Sequence, residues 1–556
     1  MSARSADYDR ARAAWASAYG QQMPSERPRN NRSGIEVRPL YGPEDWDPAR
    51  HLATLGFPGA APFTRGIHAS MHRGRSWSPR LVVGCGVPED YNRRMRALYD
   101  VGLTGLFVAP CNSHMRGYDP DEVDRELLGT CGTVIATVED MAECLDGLPF
   151  ETESVSLGDT APYTLSAMLL AVAKRRNIPW DGLAGTTNQS DYLSHYAALH
   201  MFYRLALPGQ RRVLLDHIDW MNGRAPRWNP LSIVGQHMQQ AGATPAEAMG
   251  LAISSALQYA TDLRDRGRDP DRFLARFSFF FDVSISFFEE VAKFRAGRRL
   301  WDRLTQERFG ARDPRARRFR FHAQTSGADL TRQQPLNNIA RVAVQAMAGI
   351  FGGLQSLHTD SYDEALGSPT EATARVAVAT QHILRDEAKL ADAIDPLGGS
   401  YYVEAMTDQM EAKIHDVIRQ IDGQGGMYEA VQSGFVQRMI GRSALAAQER
   451  IDQGKDVVVG VNAYRLNDDA EARPPSLPRP DPEALDRYLA RLKTHRAARS
   501  GAAVERSLEA LARSFDDASA NTYGAVVDAI EVGATHGEVC ARARSAVGFG
   551  EPLVVV

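Results

Sequence analysis

The chain has 556 residues, 44% of them hydrophobic and 24% charged, enough to bury a large core and more than one domain. A formal charge of −5 removes any general electrostatic reason to bind nucleic acid or an anionic membrane, and no run approaches 18 uninterrupted apolar residues, which argues against a membrane span. Five scattered cysteines (Cys85, Cys111, Cys131, Cys144, Cys540) without a CxxC pair point to a reduced, cytoplasmic protein with no zinc knuckle.

Residues 1–60 are polar and broken by Pro and Gly ("QQMPSERPRNNRSG") and lack a signal-peptide apolar core, so they read as an extended arm. From about 79 to 360, eight short strand candidates follow: 79–85, 104–110, 153–158, 183–188, 231–236, 275–281, 319–325 and 353–359. Stretches with helical periodicity separate them, among them 164–177, 245–263 and 337–352. Eight strand–helix alternations predict an α/β fold, a (β/α)8 TIM barrel over 61–365. A helical extension (366–465), a Pro-rich linker (466–482) and a small helical tail (483–556) complete the chain.

Such a barrel is normally plugged by Val, Ile and Leu. Here Ser154/Ser156/Gly158, Arg276/Ser278 and Arg320/His322/Gln324 recur at period two, and the alternate positions Val155/Leu157, Phe277/Phe279 and Phe319/Phe321 are apolar. Successive strand side chains face opposite ways, so the polar set faces the lumen. The pattern predicts an open bore fit for a long, thin, polar ligand.

The second strand runs into "GLFVAPCNSHMRGYDPD", where Pro110, Cys111, Asn112, Ser113 and His114 follow one another. That cluster admits two readings: a Cys111–His114 nucleophile and base, as in a thioesterase or acyltransferase, or a pocket that uses these residues for shape. His68 and His72 in "HASMH" lack the Glu of H-E-x-x-H, so no metal site is predicted. "ARDPRARRFRF" is basic without an array of stacking aromatics and reads as a solvated helix end rather than a nucleic-acid patch.

Ordered stretches from about 64 to 465 ("TRGIHASMHRGRSW", "GLFVAPCNSHMRGYDPD", "SIVGQHMQQAGA", "RFHAQTSGADLT", "GGLQSLHTDSYDEAL", "DPLGGSYYVEAMT", "VVVGVNAYRL") resemble the large subunits of coenzyme-B12-dependent acyl-CoA mutases. That family includes methylmalonyl-CoA, isobutyryl-CoA and 2-hydroxyisobutyryl-CoA mutases, and the downstream half looks nearest the last branch. The resemblance implies a (β/α)8 barrel with the pantetheine of coenzyme A threaded along its axis. It also implies adenosylcobalamin as cofactor. No D-x-H-x-x-G string for cobalt ligation is found, so a separate cobalamin-binding small subunit is expected, with a homodimeric large subunit in a heterotetramer.

Carried over residue by residue, His237 hydrogen-bonds the thioester carbonyl. Ser70, Met71, Arg75, Arg80, Ser156, Thr186, Arg276 and Ser278 hold coenzyme A, its phosphates suiting forked guanidinium donors. His322, Gln324, Gln355 and Glu364 fall on the cobalamin–adenosyl face, with His358 beside them. The acyl pocket falls on Val82, Cys111, Asn112, His114, Asn188, Gln189 and Gln236. Departures cluster there. Val82 and Gln236 stand where methylmalonyl-CoA mutases have Tyr, Ala198 or Leu199 where they have the carboxylate-clamping Arg, and Cys111 where hydroxyacyl mutases have Asp. Thr187, Asn188 or Gln189 must make the thioester contact of a family Gln. An unpaired carboxylate in a dry site costs several kcal/mol, so the expected reaction is radical 1,2-migration of the thioester group in a non-dicarboxylic, branched or hydroxylated acyl-CoA. A methylmalonyl-CoA mutase with a relocated clamp and a noncatalytic paralogue are the other readings within the family.

Overall fold

The computed structural model describes residues 6–22, 24, 28, 30–47, 50–199, 204–466 and 479–550. All eight predicted strands form: β1 (Ser78–Arg80), β2 (Leu106–Val108), β3 (Val155–Gly158), β4 (Gly185–Asn188), β5 (Trp228–Asn229 and Leu231–Val234), β6 (Phe277–Val283), β7 (Phe321–Thr325) and β8 (Ser356–His358). Neighbours pair in parallel from β2 to β5 and from β5 through β8 to β1. A parallel bridge between Val83 and Val108 closes the ring between β1 and β2. The fold is a (β/α)8 barrel.

The break in β5 has a local cause. Pro230 has no N–H to give the ladder, so Trp228–Asn229 pair with β4 and Leu231–Val234 with β6. On the β4 side the second piece is satisfied by side chains instead. Ser190 Oγ accepts from Ser232 N–H (3.0 Å) and Asp191 Oδ2 from Val234 N–H (3.0 Å). Asp191 also caps the helix Tyr192–Ala197 and accepts from the Tyr259 hydroxyl, so one buried carboxylate fixes both the strand and the helix beside it.

Inward side chains are small, so the aliphatic and aromatic residues collect between strands and helices. Val155, Leu157, Phe277, Phe279, Phe281, Phe319 and Phe321 are all buried there. The helix closing the eighth unit is Glu371–His382, beyond residue 365 where the sequence pattern places the barrel's end. A long helix, Tyr401–Gly423, then packs across Pro245–Asp265 and Phe287–Phe309. It is tied down by the buried Arg295, which pairs with Glu404 (2.5 Å) and Asp395.

The N-terminal segment departs from the expected extended arm, since Ala6–Gln22 is helical. Further along it, Arg32 and Ser33 give their backbone N–H groups to Glu289 (3.1 and 2.8 Å). The linker expected at 466–482 lies outside the described residues over 467–478. Beyond it stand four helices, Pro482–Ala498, Gly501–Asp516, Thr522–Glu531 and His536–Val547, docked on the barrel rather than trailing from it. Tyr488 donates to Asp140 (2.8 Å), Thr522 N–H and Oγ donate to Asp216 (2.9 and 2.8 Å), and Asp119 accepts from Gly537 N–H (2.7 Å) and Arg496 (2.7 Å).

The same dock stacks two histidines. His114 and His536 rings lie 3.6 Å apart at 16°, with His536 bonded to Thr164 (2.6 Å) and the His114 carbonyl (2.9 Å). Burial, then neighbouring charge, holds both well below the ordinary histidine range, so both are neutral. A histidine buried neutral binds its proton only when unfolded, so its contribution is complete above about pH 6.5 and lost as pH falls. Asp119, pushed up to about 6 chiefly by burial, acts with the opposite sign over part of that window. The difference between wild type and His536→Gln therefore isolates the histidine. Unfolding free energy against pH, from denaturant titrations at pH 5.0–6.5, is expected to fall less steeply in the variant, by up to about 1.4 kcal/mol per pH unit.

Candidate functional site

The bore follows from the strand pattern. Ser78 and Arg80 of β1, Ser156 of β3, Thr186 and Asn188 of β4, Asn229 and Ser232 of β5, Ser278 of β6, His322 of β7 and Ser356 of β8 line a cavity of about 490 Å³. It is walled by small hydroxyls and amides, and no Asp or Glu is among its lining residues. Such a wall offers hydrogen bonds to a thin neutral chain and presents no carboxylate to repel an anion passing along it.

Its base, at the strands' N-terminal ends, is cationic. Burial, then Arg276 and Arg318, brings Arg320 down to about 10. Burial, then Arg318, Arg320 and Arg75, lowers His68. Burial, then Arg315, lowers Arg276. Asp313 is paired with Arg315 at the edge of this cluster (2.7 Å), and the remaining crowded cations form an anion site whose occupant relieves the repulsion. Arg80 is buried in the wall, brought to about 10 by burial alone against the distant Glu153. Its guanidinium passes 3.2 Å from where a Cβ on Gly105 would sit, and Gly105 holds φ +91°, so both space and backbone require glycine there.

The opposite mouth carries the hydrogen-bonding groups. β5 turns directly into the helix Gly235–Gln240. A Cβ at Gly235 would lie 2.4 Å from the Phe281 ring, so the tight turn that aims Gln236 and His237 needs glycine. His237 is buried, its ring 5.2 Å from that of His195. Across the mouth, Val82 N–H donates to His358 Nδ1 (3.0 Å), which fixes the proton on Nε2 for donation to Asp360 (2.9 Å). Asp360 also accepts from Gln324 (3.2 Å) and Thr325 (3.0 Å). This chain of bonds locks the end of β1 to β7 and β8. Glu364 stands exposed on the rim, its carboxyl pushed up by partial desolvation and then by the neighbouring Asp360 and Asp363.

The structure brings Ser70, Met71, Arg75, Arg80, Ser156, Thr186, Ser278, Asn188, His322 and Gln355 into one cavity wall, with Arg276 at its base. The residues grouped on one face by resemblance are divided. Gln324 and Glu364 are at the mouth and His322 inside, bonded to Ser356 (2.8 Å). Gln355 is at the base, its amide spent on Phe321 N–H (2.8 Å) and the Gly353 carbonyl (2.9 Å). Gln189 ends β4 with φ +62°, and Val82 precedes the β1–β2 bridge.

Cys111, Asn112 and His114 are not among the cavity's lining residues, nor are Val82, Gln189, Gln236, His237, Arg276, Gln324 and Glu364. Cys111 is fully buried in a separate apolar cluster with Val87, Leu128, Val134, Leu485 and Tyr488. Its sulfur accepts from Gly129 N–H (3.1 Å). A hydrogen bond from Cys131 leads the influences that bring its thiol to about 6, against the effect of burial. His114 Nδ1 is bonded to the Ile135 carbonyl (3.0 Å) and its ring lies on His536. No hydrogen bond joins Cys111 to His114 among the described residues, so the nucleophile–base arrangement is not formed.

Sequence patterning missed Asn229 and Ser232. Both line the bore although three residues apart, because Pro230 between them breaks the period of two. His195 carried no signal of its own, since only the fold sets it beside His237.

Comparison with known proteins agrees with this geometry. The family model for methylmalonyl-CoA mutase matches residues 30–549. The chain is 37% identical to methylmalonyl-CoA mutase of Cereibacter sphaeroides, over 95% of this chain and 74% of that one. It is 35% identical to the 2-hydroxyisobutanoyl-CoA mutase large subunit of Aquincola tertiaricarbonis, over 89% and 88%. It is 34% identical to the mitochondrial methylmalonyl-CoA mutase of Homo sapiens, over 96% and 71%.

The position of Cys111 makes a prediction. Cys111→Asp places a carboxylate among Val87, Leu128 and Tyr488, so it is expected to lower unfolding free energy by about 2–4 kcal/mol without changing ligand selectivity. A denaturant titration and an acyl-CoA binding series on the same variant check both halves.

Proposed function

Because the chain belongs to the methylmalonyl-CoA mutase family, an isomerase family, we propose that it is the large subunit of an adenosylcobalamin-dependent acyl-CoA mutase. Its substrate is a non-dicarboxylic, branched or hydroxylated acyl-CoA whose thioester group migrates to the adjacent carbon. The observation that carries this reading is the polarity of the bore: cationic at the base and hydroxyl-lined and acid-free along its length, with His237 on the helix that follows the lining strand β5.

In this reading Arg75, Arg276 and Arg320 take the phosphates of coenzyme A at the base, where guanidinium forks match phosphate oxygens. Ser156, Thr186, Ser278 and Ser356 bond the amides of the pantetheine, which fills the space that Val and Leu fill in a plugged barrel. The thread itself excludes water from the reacting end. His237 donates to the thioester carbonyl oxygen and stabilises the charge that gathers there during migration. Gln189 and Gln236 contact the acyl group. Neither brings the positive charge that a free substrate carboxylate requires.

The mouth suits the cofactor. The Glu364 carboxyl, exposed at the rim, has no hydrogen bond or ion pair among the described residues, so it is open to a bond from a ligand hydroxyl. It and Gln324 would hold the adenosyl ribose, with the rest of the cofactor carried by a small subunit. When bound there, adenosylcobalamin would supply the radical hydrogen-transfer chemistry that the side chains cannot.

The test is reconstitution with a cobalamin-binding small subunit, adenosylcobalamin and a panel of branched, hydroxylated and dicarboxylic acyl-CoAs, with products followed by mass spectrometry. Rearrangement of a non-dicarboxylic member is expected. No rearrangement across the panel, with no cob(II)alamin signal, contradicts the proposal. In the active system His237→Ala is expected to lower kcat by about 10²–10³ with little change in KM. Ser156→Leu, which puts a branched side chain in the bore, is expected to abolish saturable binding of every acyl-CoA while the far-ultraviolet spectrum stays that of the wild type.

A further inference from the structure

Among the described residues β1 and β2 meet at a single parallel bridge, Val83 with Val108. Just beyond it a short segment, residues 129–134, lies between the ends of the two strands and bonds to both. On the β1 side, Gly86 N–H donates to the Gly129 carbonyl and Val134 N–H to the Gly86 carbonyl (both 3.0 Å). On the β2 side, Thr133 N–H donates to the Ala109 carbonyl and Cys111 N–H to the Thr133 carbonyl (both 2.8 Å). A Cβ on Gly84 would lie 2.7 Å from Gly132 Cα, and one on Gly132 would collide with the Pro110 carbonyl. The segment is a clip across the seam, held in one position.

The clip brings two cysteines together. Cys111 is fully buried, whereas Cys131, on the clip, is exposed. Their thiols are hydrogen-bonded to each other, and the Cys131 sulfur also accepts from Asn112 N–H. Cys111 Sγ accepts in addition from Gly129 N–H (3.1 Å). A sulfur that gathers S–H and N–H donors is favoured as the thiolate. The Cys131 bond first, then those of Gly129 and Ser113 N–H, bring Cys111 down to about 6 against burial. Burial instead raises Cys85, Cys144 and Cys540. A space-filling thiol needs neither the donors nor an exposed thiol beside it.

We propose that Cys111 and Cys131 form a reversible dithiol–disulfide pair, a modification site for hydroperoxides built into the clip between β1 and β2. The exposed Cys131 meets the oxidant. Its sulfur bonds to one peroxide oxygen, the O–O bond breaks, and the thiol proton leaves with the other oxygen as water or an alcohol. The Cys111 thiolate then attacks the Cys131 sulfenic sulfur: the S–S bond forms, the S–O bond breaks and hydroxide departs. The peroxide gains the two electrons that the two sulfurs lose. Two equivalents of a small thiol reverse the oxidation and leave as their own disulfide. The product is a covalent tie between the clip and the end of β2. A transient disulfide of this kind suits a chain whose five cysteines are otherwise unpaired.

The test treats the full chain with hydrogen peroxide, blocks remaining thiols with N-ethylmaleimide under denaturing conditions, and maps peptides by mass spectrometry without reduction. The expected result is one linked pair, Cys111 with Cys131, two maleimide adducts fewer than in the untreated chain, and full recovery of both adducts after dithiothreitol. Cys131→Ser alters an exposed position and is expected to lose no adducts under the same treatment. In Cys111→Ser the sulfenic acid has no thiolate to resolve it, so dimedone labelling of Cys131 is expected to rise at least tenfold over wild type. A wild type that keeps all its adducts overturns the proposal. So does a link that pairs Cys131 with Cys85, Cys144 or Cys540, or a Cys131→Ser variant that loses as many adducts as the wild type. The readout is covalent rather than catalytic, so it stands or falls apart from the reaction proposed above.

Discussion

The size of the side chains pointing into the barrel governs the rest of this molecule. Ser, Thr and Asn at the inward positions of β3, β4 and β5 leave the axis open, and the protein forgoes the plug that ordinarily holds eight parallel strands together. Cohesion then has to come from outside the ring. The aromatic layer of Phe277, Phe279, Phe319 and Phe321 behind the strands, the long helix Tyr401–Gly423 and the docked C-terminal helices are where it is found. Buried ionic ties such as Arg295 with Glu404 and Asp395 are specific rather than strongly stabilising, and they set where the outer helices sit.

Much of this was legible in the sequence because it depends on short-range periodicity. The eight strands, the polar set at period two and the apolar set between them are one-dimensional patterns, and the barrel with an open bore follows from them. Ser156, Thr186, Ser278 and Arg80 fall into the wall for that reason. The pattern failed where a local event shifted its phase, as at Pro230. It was also silent where two distant segments meet, as for His195 beside His237.

Cys111 and His114 show the opposite difficulty. Their residue types suggest chemistry, and their position just after a strand suggests a site. Their surroundings come from residues far along the chain: Leu485, Tyr488 and His536 lie more than 370 positions away. A sequence window cannot contain that. The C-terminal helices make these two side chains structural, one as an apolar filler with a bonded thiol and the other as half of a stacked neutral pair. Gln355 is a milder instance. It has the residue type of a ligand contact, but the free end of β7 consumes its amide.

An open bore also changes what the hydrophobic core of this protein is. The ligand proposed to thread the axis takes the place of the missing plug, so ligand and interior are in a sense the same object. Any ligand that fills the axis adds RT ln(1 + [L]/Kd) to the folding free energy, and it does so at the centre of the domain. In a cell, the supply of that ligand would then act as a folding factor. The lifetime of the protein would follow the pool of the metabolite it consumes, with no regulatory site needed to connect them.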